Sequence, residues 1–278
     1  MGVIAVSGAT GRLGGRIARL LADEGVEQRL LVRDASRAPR LGNAEVAVAE
    51  YADRDAVRRA LDGADTVLMV SGAESADRMD QHRAFVDAAA DAGVGHVVYT
   101  SFYNAGPAAT FTLARDHWAT EEHLRAAGLV FTSLRDNLYA DFLPMMVGDD
   151  GVIRGPGGDG KASVVARDDI ADAAVAVLLE PGAHAGRVYD LTGPEDLSFA
   201  EMAAIVSRAT GRAVRFHDEN LDEAYASRAA YGAPGWQVDA WVSTYTAVAA
   251  GELAGVSGAI EELTGHPATS LEALLKSE

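Results

Sequence analysis

Apolar and polar positions along this chain follow two alternating periods. Short apolar runs at residues 3–6, 28–32, 44–49, 65–70, 96–100, 130–135 and 187–191 are strand candidates. Between them lie segments with apolar residues every third or fourth position, the mark of a helix with one buried face. The first carries Leu13, Ile17, Leu20 and Leu21, and others cover 53–61, 78–92 (with Phe85, Val86 and Ala89 inward), 114–127 and 168–179. Strands separated by helices of this length require right-handed crossovers, which predicts an α/β fold with a Rossmann-type, doubly wound parallel sheet. Beyond residue 140 the texture changes. Residues 151–160 are crowded with glycine and include Pro156, which predicts a loop or short hairpin. A helix over 198–210 opens with a Ser198-x-x-Glu201 capping box. Segments 220–251 and 261–276 read as largely helical, with extended pieces such as 213–216. The expected organisation is a dinucleotide-binding domain over 1–140, to which 161–195 return, and a small, mostly helical C-terminal substrate lobe built from 196–278 with 141–160.

The first strand breaks into Ser7-Gly8-Ala9-Thr10-Gly11-Arg12-Leu13-Gly14 and then into the first helix. Glycine is needed where φ is positive or where backbone must approach a pyrophosphate closely, and a helix start supplies N–H groups to that anion. Gly8, Gly11 and Gly14 meet this need in a strand–turn–helix context, so the opening reads as a dinucleotide site. The second strand ends at Arg33-Asp34. An acid there accepts hydrogen bonds from the adenosine ribose, whereas an arginine suits a 2′-phosphate. Arg33, with Arg12 able to reach the same phosphate, points to NADP(H); Asp34, one residue on, keeps NAD(H) open. Ser71 and Gly72 after the fourth strand, and Ser101 after the fifth, lie at carboxyl ends of strands, where ligands of such sheets gather.

Composition narrows the chemistry. The 278-residue chain carries a formal net charge of -17, which argues against binding nucleic acid or an anionic membrane surface. It has no cysteine, so disulfides, thiolate nucleophiles and Cys-type metal sites are excluded. The seven histidines show no tight ligand spacing and no GxSxG elbow is present, so neither a metal centre nor a Ser-His-Asp hydrolase is expected. A first strand that begins almost at the initiator methionine, and the lack of a membrane-length apolar run, predict a cytoplasmic protein. A homodimer is the default assembly.

The only lysines are Lys161 and Lys276, and neither has a tyrosine four residues before it. The Tyr-Lys pair that ordinary short-chain dehydrogenases use to move a proton at neutral pH is therefore absent. What remains is hydride transfer to an acceptor that is already electrophilic, a small aromatic or quinonoid molecule, with positioning supplying most of the catalysis. Tyr103, His117 and Tyr139 are the candidate donors to a developing oxyanion.

The stretches GATGRLGG, LLVRD, DQHRAFVDAAADAGVGHVVYTS, HWATEEHL with its HxxTE core, LRDNLY, GDGKASVVARDDIA and TGHPATSLEAL occur together and in order. In this the chain resembles the atypical short-chain dehydrogenases of the NmrA-like group, which includes bacterial type 2 quinone oxidoreductases and triphenylmethane reductases. The resemblance covers nearly the full length. It implies an NADP-preferring Rossmann domain, a substrate lobe with a cleft between them, and either a quinone or dye reductase or, alternatively, a non-catalytic NADP(H)-binding redox sensor. Carried over by residue, it adds Thr10 and Leu13 to the turn, and matches Leu138 and Tyr139 after the sixth strand; Asn137 and Leu138 are candidate cofactor contacts there. There is one departure: the reductases read LRN where this chain has Leu134-Arg135-Asp136, with the amide of Asn137 one place later.

Overall fold

The computed structural model describes residues 2–277. Its strands, in chain order, are β1 (Val3–Ser7), β2 (Gln28–Val32), β3 (Ala44–Val48), β4 (Ala64–Met69), β5 (His96–Phe102), β6 (Phe131–Asp136), β7 (Val152–Gly155), β8 (Lys161–Ala162), β9 (Val188–Leu191), β10 (Leu197–Ser198) and β11 (Arg215–Asp218). The helices are α1 (Arg12–Asp23), α2 (Arg54–Leu61), α3 (Arg78–Asp91), α4 (Thr112–Ala126), α5 (Arg167–Leu179), α6 (Phe199–Thr210), α7 (Leu221–Arg228), α8 (Gly235–Ala249), α9 (Ala259–Thr264) and α10 (Leu271–Ser277).

Seven strands form one parallel sheet in the order β3-β2-β1-β4-β5-β6-β9, the Rossmann-type arrangement expected from the alternating periods. The order reverses beside β1, which pairs with β2 on one side and β4 on the other. The crevice beyond the carboxyl ends of β1 and β4 is thus the ligand position of a doubly wound sheet. Central β5 is buried along its whole length, as strands covered on both faces must be, whereas Val46 and Val48 on edge strand β3 are exposed. On α1 the buried face is Leu13, Ile17, Ala18 and Leu21; Leu20, assigned to that face from the pattern, is half-exposed.

The chain forms two compact units. The first runs up to Ser101 and takes in His117–Arg135 and Ile170–Tyr189; the second comprises Phe102–Asp116, Asp136–Asp169 and the residues from Asp190 onward. The first unit packs Leu61, Val67, Met69, Phe85, Val97 and Leu124 into one core. The core of the second is built on Phe199, with the Phe216 and Tyr245 ring centroids 5.3 and 4.8 Å away. The glycine-rich run 151–160 is half strand and half loop, and not a hairpin: residues 152–155 form β7, which pairs in parallel with the distant β11, and 156–160 turn into β8, which pairs antiparallel with β10. Buried Val152 and Ile153 draw this run into the second core, and Gly155 leaves room for the Tyr245 ring. The capping box at Ser198 and Glu201 is formed in both directions. Among the described residues no helix is long and apolar enough to cross a membrane.

Candidate active site

β1 ends at Ser7 and the chain turns at Gly8, whose φ of +64° is open to glycine and costly for other residues. The Gly11 N–H donates to the Gly8 carbonyl at 2.8 Å and closes the turn. α1 follows at once, and a Cβ on Gly14 would lie 2.5 Å from the Gly8 carbonyl oxygen and 2.9 Å from that of Ser7, so only glycine lets the helix sit on the strand end. The start of α1 is bare. Gly11 holds the cap position, no side chain caps it, and the first turn contains no acid. Elsewhere Asp53 caps α2, and capping boxes close the starts of α6 and α7. A bare start presents N–H donors and the positive end of the helix dipole to an anion. Exposed Arg12 at the first helical position, unfavourable for an isolated helix, adds to that preference. Thr10 is half-buried beside the turn, and the Leu13 side chain points into the core, leaving its backbone to face the ligand. This cradle fits a dinucleotide pyrophosphate.

At the end of β2 the two charged neighbours differ. The Asp34 carboxylate accepts from the Ser36 backbone N–H at 2.9 Å and from its hydroxyl at 2.7 Å, capping the short 3-10 turn Ala35–Arg37. These hydrogen bonds, the hydroxyl foremost, hold it below the usual carboxylate range. Arg33 is exposed and forms no ion pair among the described residues. Asp34 is occupied by local structure, and Arg33 is available to a phosphate.

Beneath the carboxyl ends of β1, β4 and β5 lies a layer of polar side chains. Val70 N–H donates to Ser7 Oγ at 2.9 Å, and Tyr51 Oη donates to the Val70 carbonyl at 2.6 Å. With its own proton so placed, Tyr51 accepts from the Ser7 hydroxyl at 2.5 Å, and the ring of three bonds closes. Ser71 N–H donates to Thr100 Oγ1 at 2.8 Å. Gly72 N–H donates to His82 Nε2 at 2.8 Å, which places the His82 proton on Nδ1, facing Thr120 Oγ1 at 2.8 Å. Arg78 Nε donates to the Gly72 carbonyl at 3.0 Å and its Nη2 to His117 Nε2 at 3.0 Å. His117 therefore carries its proton on Nδ1, facing Tyr99 Oη at 3.0 Å. Burial, reinforced by Arg78, pushes His82 down to about 3 and His117 well below its ordinary value, so both rings are neutral at physiological pH. Next along the rim, Glu121 accepts from the Ser101 hydroxyl at 2.6 Å and from Arg135 Nε and Nη2 at 2.9 and 2.6 Å.

In the second unit, Tyr103 and Tyr139 meet at one residue. Tyr103 N–H donates to the Asp136 backbone carbonyl at 2.9 Å, and Tyr139 Oη lies 2.6 Å from the Asp136 carboxyl. Burial pushes that carboxyl up to about 8, against the hydrogen bond from Tyr139. Burial and the neighbouring carboxyl push the Tyr139 phenol up as well. The Tyr103 hydroxyl donates to the carbonyls of Ala254 and Gly255 at 3.0 and 3.4 Å. Asn137 is fully buried: its amide nitrogen donates to the Leu253 carbonyl at 2.9 Å and its amide oxygen accepts from Leu138 N–H at 2.8 Å. Leu138 is half-buried against the second core.

Residues 1–227 match the NmrA-like family. The chain belongs to the NmrA-like family. It is 33% identical over 279 residues to quinone oxidoreductase 2 of Escherichia coli, covering 97% of this chain and 96% of that one. It is 31% identical to an NAD(P)H azoreductase of Xenophilus azovorans, over 99% and 97% of the two chains. Among solved structures it resembles the Citrobacter sp. triphenylmethane reductase complexed with NADP(H), with a TM-score of 0.87 at 30% identity and 99% of each chain covered.

In this NmrA-like chain the structure divides the sequence-derived candidates. The glycine turn, Ser71, Gly72, Ser101 and His117 share the rim of the first unit, while Tyr103, Asn137, Leu138 and Tyr139 cluster in the second. The hydroxyls of Ser101 and Tyr103 and the amide of Asn137 are engaged inside the protein. Sequence reasoning missed Tyr51, Arg78, Thr100 and the Glu121–Arg135 pair. One signal was present: His117, Thr120 and Glu121 stand three and four residues apart and so share a helix face.

Proposed function

We infer that this chain is an NADPH-dependent reductase that delivers hydride to a quinone or a related quinonoid, dye-like acceptor. The observation that carries the reading is the bare, acid-free start of α1 over Gly8, Gly11 and Gly14, one strand away from an exposed Arg33 that forms no ion pair among the described residues. The turn and the α1 N–H groups would hold the pyrophosphate, Arg12 and Arg33 the 2′-phosphate, and Ser71, Gly72 and Ser101, with Asn137 and Leu138 as further candidates, the remainder of the cofactor. NADPH, when bound, supplies the hydride. Relatives that are a quinone oxidoreductase, an azoreductase and a triphenylmethane reductase support a conjugated acceptor.

Residues 141–160 and 196–278 are the lobe we assign to the acceptor. At its start Phe142 stacks on Tyr139, which immediately precedes the lobe, with 5.6 Å between centroids and 10° between planes, and the exposed Phe142 offers a flat apolar surface. Tyr139 Oη is the donor we assign to the oxyanion that forms as hydride arrives: its proton would turn from the Asp136 carboxyl to the acceptor, and the carboxyl, which burial keeps protonated, would donate to Oη in its place. The lack of a Tyr-Lys pair suits an acceptor whose reduction spreads or cancels charge. The test is NADPH oxidation over a panel of quinones, azo dyes and cationic triphenylmethane dyes. We expect kcat of about 1–100 per second with at least one class, and NADPH preferred over NADH. Tight NADPH binding without turnover of any acceptor would overturn the reductase and leave a cofactor-binding sensor.

A further inference from the structure

Gly72 is held by side chains at both of its backbone groups. His82 Nε2 accepts its N–H at 2.8 Å, and Arg78 Nε donates to its carbonyl at 3.0 Å. Behind each of these contacts stands a residue of the same turn of α4: Thr120 against His82 Nδ1 at 2.8 Å, and His117 against Arg78 Nη2 at 3.0 Å. The preceding residues are held in the same way, Val70 by Ser7 and Tyr51 and Ser71 by Thr100. A Cβ on Gly72 would stand 3.2 Å from His82 Nε2, so any side chain there would make the imidazole give way by a few tenths of an ångström. A half-buried strand end needs no such cage merely to turn, because water can satisfy its exposed groups. Five side-chain contacts over three residues serve to fix a backbone in one conformation.

We propose that His82 and Arg78, backed by Thr120 and His117, are positioning residues that fix the Val70–Gly72 backbone as a wall of the NADPH site. The HxxTE turn of α4 then acts through a chain of hydrogen bonds, and neither histidine exchanges a proton with the acceptor. This rests on the reading that the loop after β4 lines the cofactor.

The test pairs two substitutions at one position. His82→Phe keeps a ring and removes the acceptor, whereas His82→Gln keeps an acceptor oxygen for the Gly72 N–H. NADPH affinity is measured by calorimetry, KM for NADPH and for the acceptor by steady-state kinetics, and the fold by thermal unfolding of the cofactor-free protein. His82→Phe should raise Kd and KM for NADPH on the order of tenfold and leave the acceptor KM unchanged, while His82→Gln should stay within about threefold of wild type. A folded His82→Phe with wild-type NADPH affinity, or equal losses in the two variants, overturns the proposal. Should His82→Phe fail to fold, Thr120→Val takes its place. It leaves His82 present but removes the acceptor that keeps the proton on Nδ1, so NADPH binding should weaken and Thr120→Ser should restore it; unchanged binding in Thr120→Val overturns the proposal. Wild-type protein that does not bind NADPH overturns this inference and the proposed function together, whereas wild-type binding with no effect of these variants overturns the inference alone.

Discussion

The start of α1 and the middle of α4 both bring polar groups to the rim of the same sheet, but in opposite states. At α1 no side chain caps the helix, the first turn has no acid, and the neighbouring Arg33 has no ion-pair partner among the described residues. On α4, His117, Thr120 and Glu121 are all buried, and each bonds side chains from other elements. A free donor at a strand end is available to a ligand, whereas an engaged one determines where something else stands. The difference separates binding groups from positioning groups, and residue type alone does not reveal it: the histidine of the HxxTE turn, chemically the obvious acid or base, belongs to the engaged class.

The sharpest way to break the comparison is at Glu121, whose carboxylate is buried with two bonds from Arg135 and one from Ser101. Glu121→Ala leaves the guanidinium and the hydroxyl without their partner and should cost about 3–5 kcal/mol of stability, read by urea unfolding. A loss below about 1 kcal/mol would place this pair with ordinary surface ion pairs and undo the distinction.

Asp136 supplies the next largest effect, through pH. Its carboxyl stays protonated up to about 8 in the folded protein, while an unfolded aspartate ionises near 3.9. As pH rises, the unfolded chain releases this proton first, so the contribution to stability is complete below about pH 4 and is lost on the way to pH 8. Asp136→Asn keeps the shape and cannot ionise. Relative to this variant the wild type should lose about 3–4 kcal/mol between pH 5 and pH 8 in urea unfolding. A constant difference across that range would mean that the carboxyl is ionised throughout.

The smallest effect tests the free group. Arg33→Ala should weaken NADPH binding by about 1.5 kcal/mol, the low end for a hydrogen bond to a charged group because the site is exposed, and leave NADH nearly unchanged. Equal losses for both cofactors in calorimetry would remove Arg33 from the 2′-phosphate.

Much of the fold was legible because its causes are local. Apolar runs alternating with helical periods specify crossovers, and crossovers specify a parallel sheet; Gly8, Gly11 and Gly14 reveal themselves by spacing alone. The first half of the 151–160 run misled because glycine reads as a turn when considered by itself, while 156–160 are the expected loop. In β7 glycine also admits a neighbouring ring, and the strand partner is β11, far along the chain. Asp136 stands where the family resemblance expects an amide and Asn137 one place later, yet the Asn137 side chain ties Leu253 to Leu138, and Asp136 holds a neutral acid against Tyr139. Nothing in the order of residues distinguishes those two outcomes.

The sequence by itself determined the parallel sheet, the phosphate turn, the arginine at the end of β2 and the absence of a Tyr-Lys pair. Each depends on residue type and on spacings of a few positions, over which backbone geometry is nearly invariant. Only the tertiary structure decided which polar groups remain free. The partner of His82 lies 38 residues away at Thr120, that of Arg78 lies 39 away at His117, and that of Ser101 lies 20 away at Glu121. A hydrogen bond across such separations forms when packing brings two side chains within about 3 Å, and that distance is a property of the assembled sheet and helices.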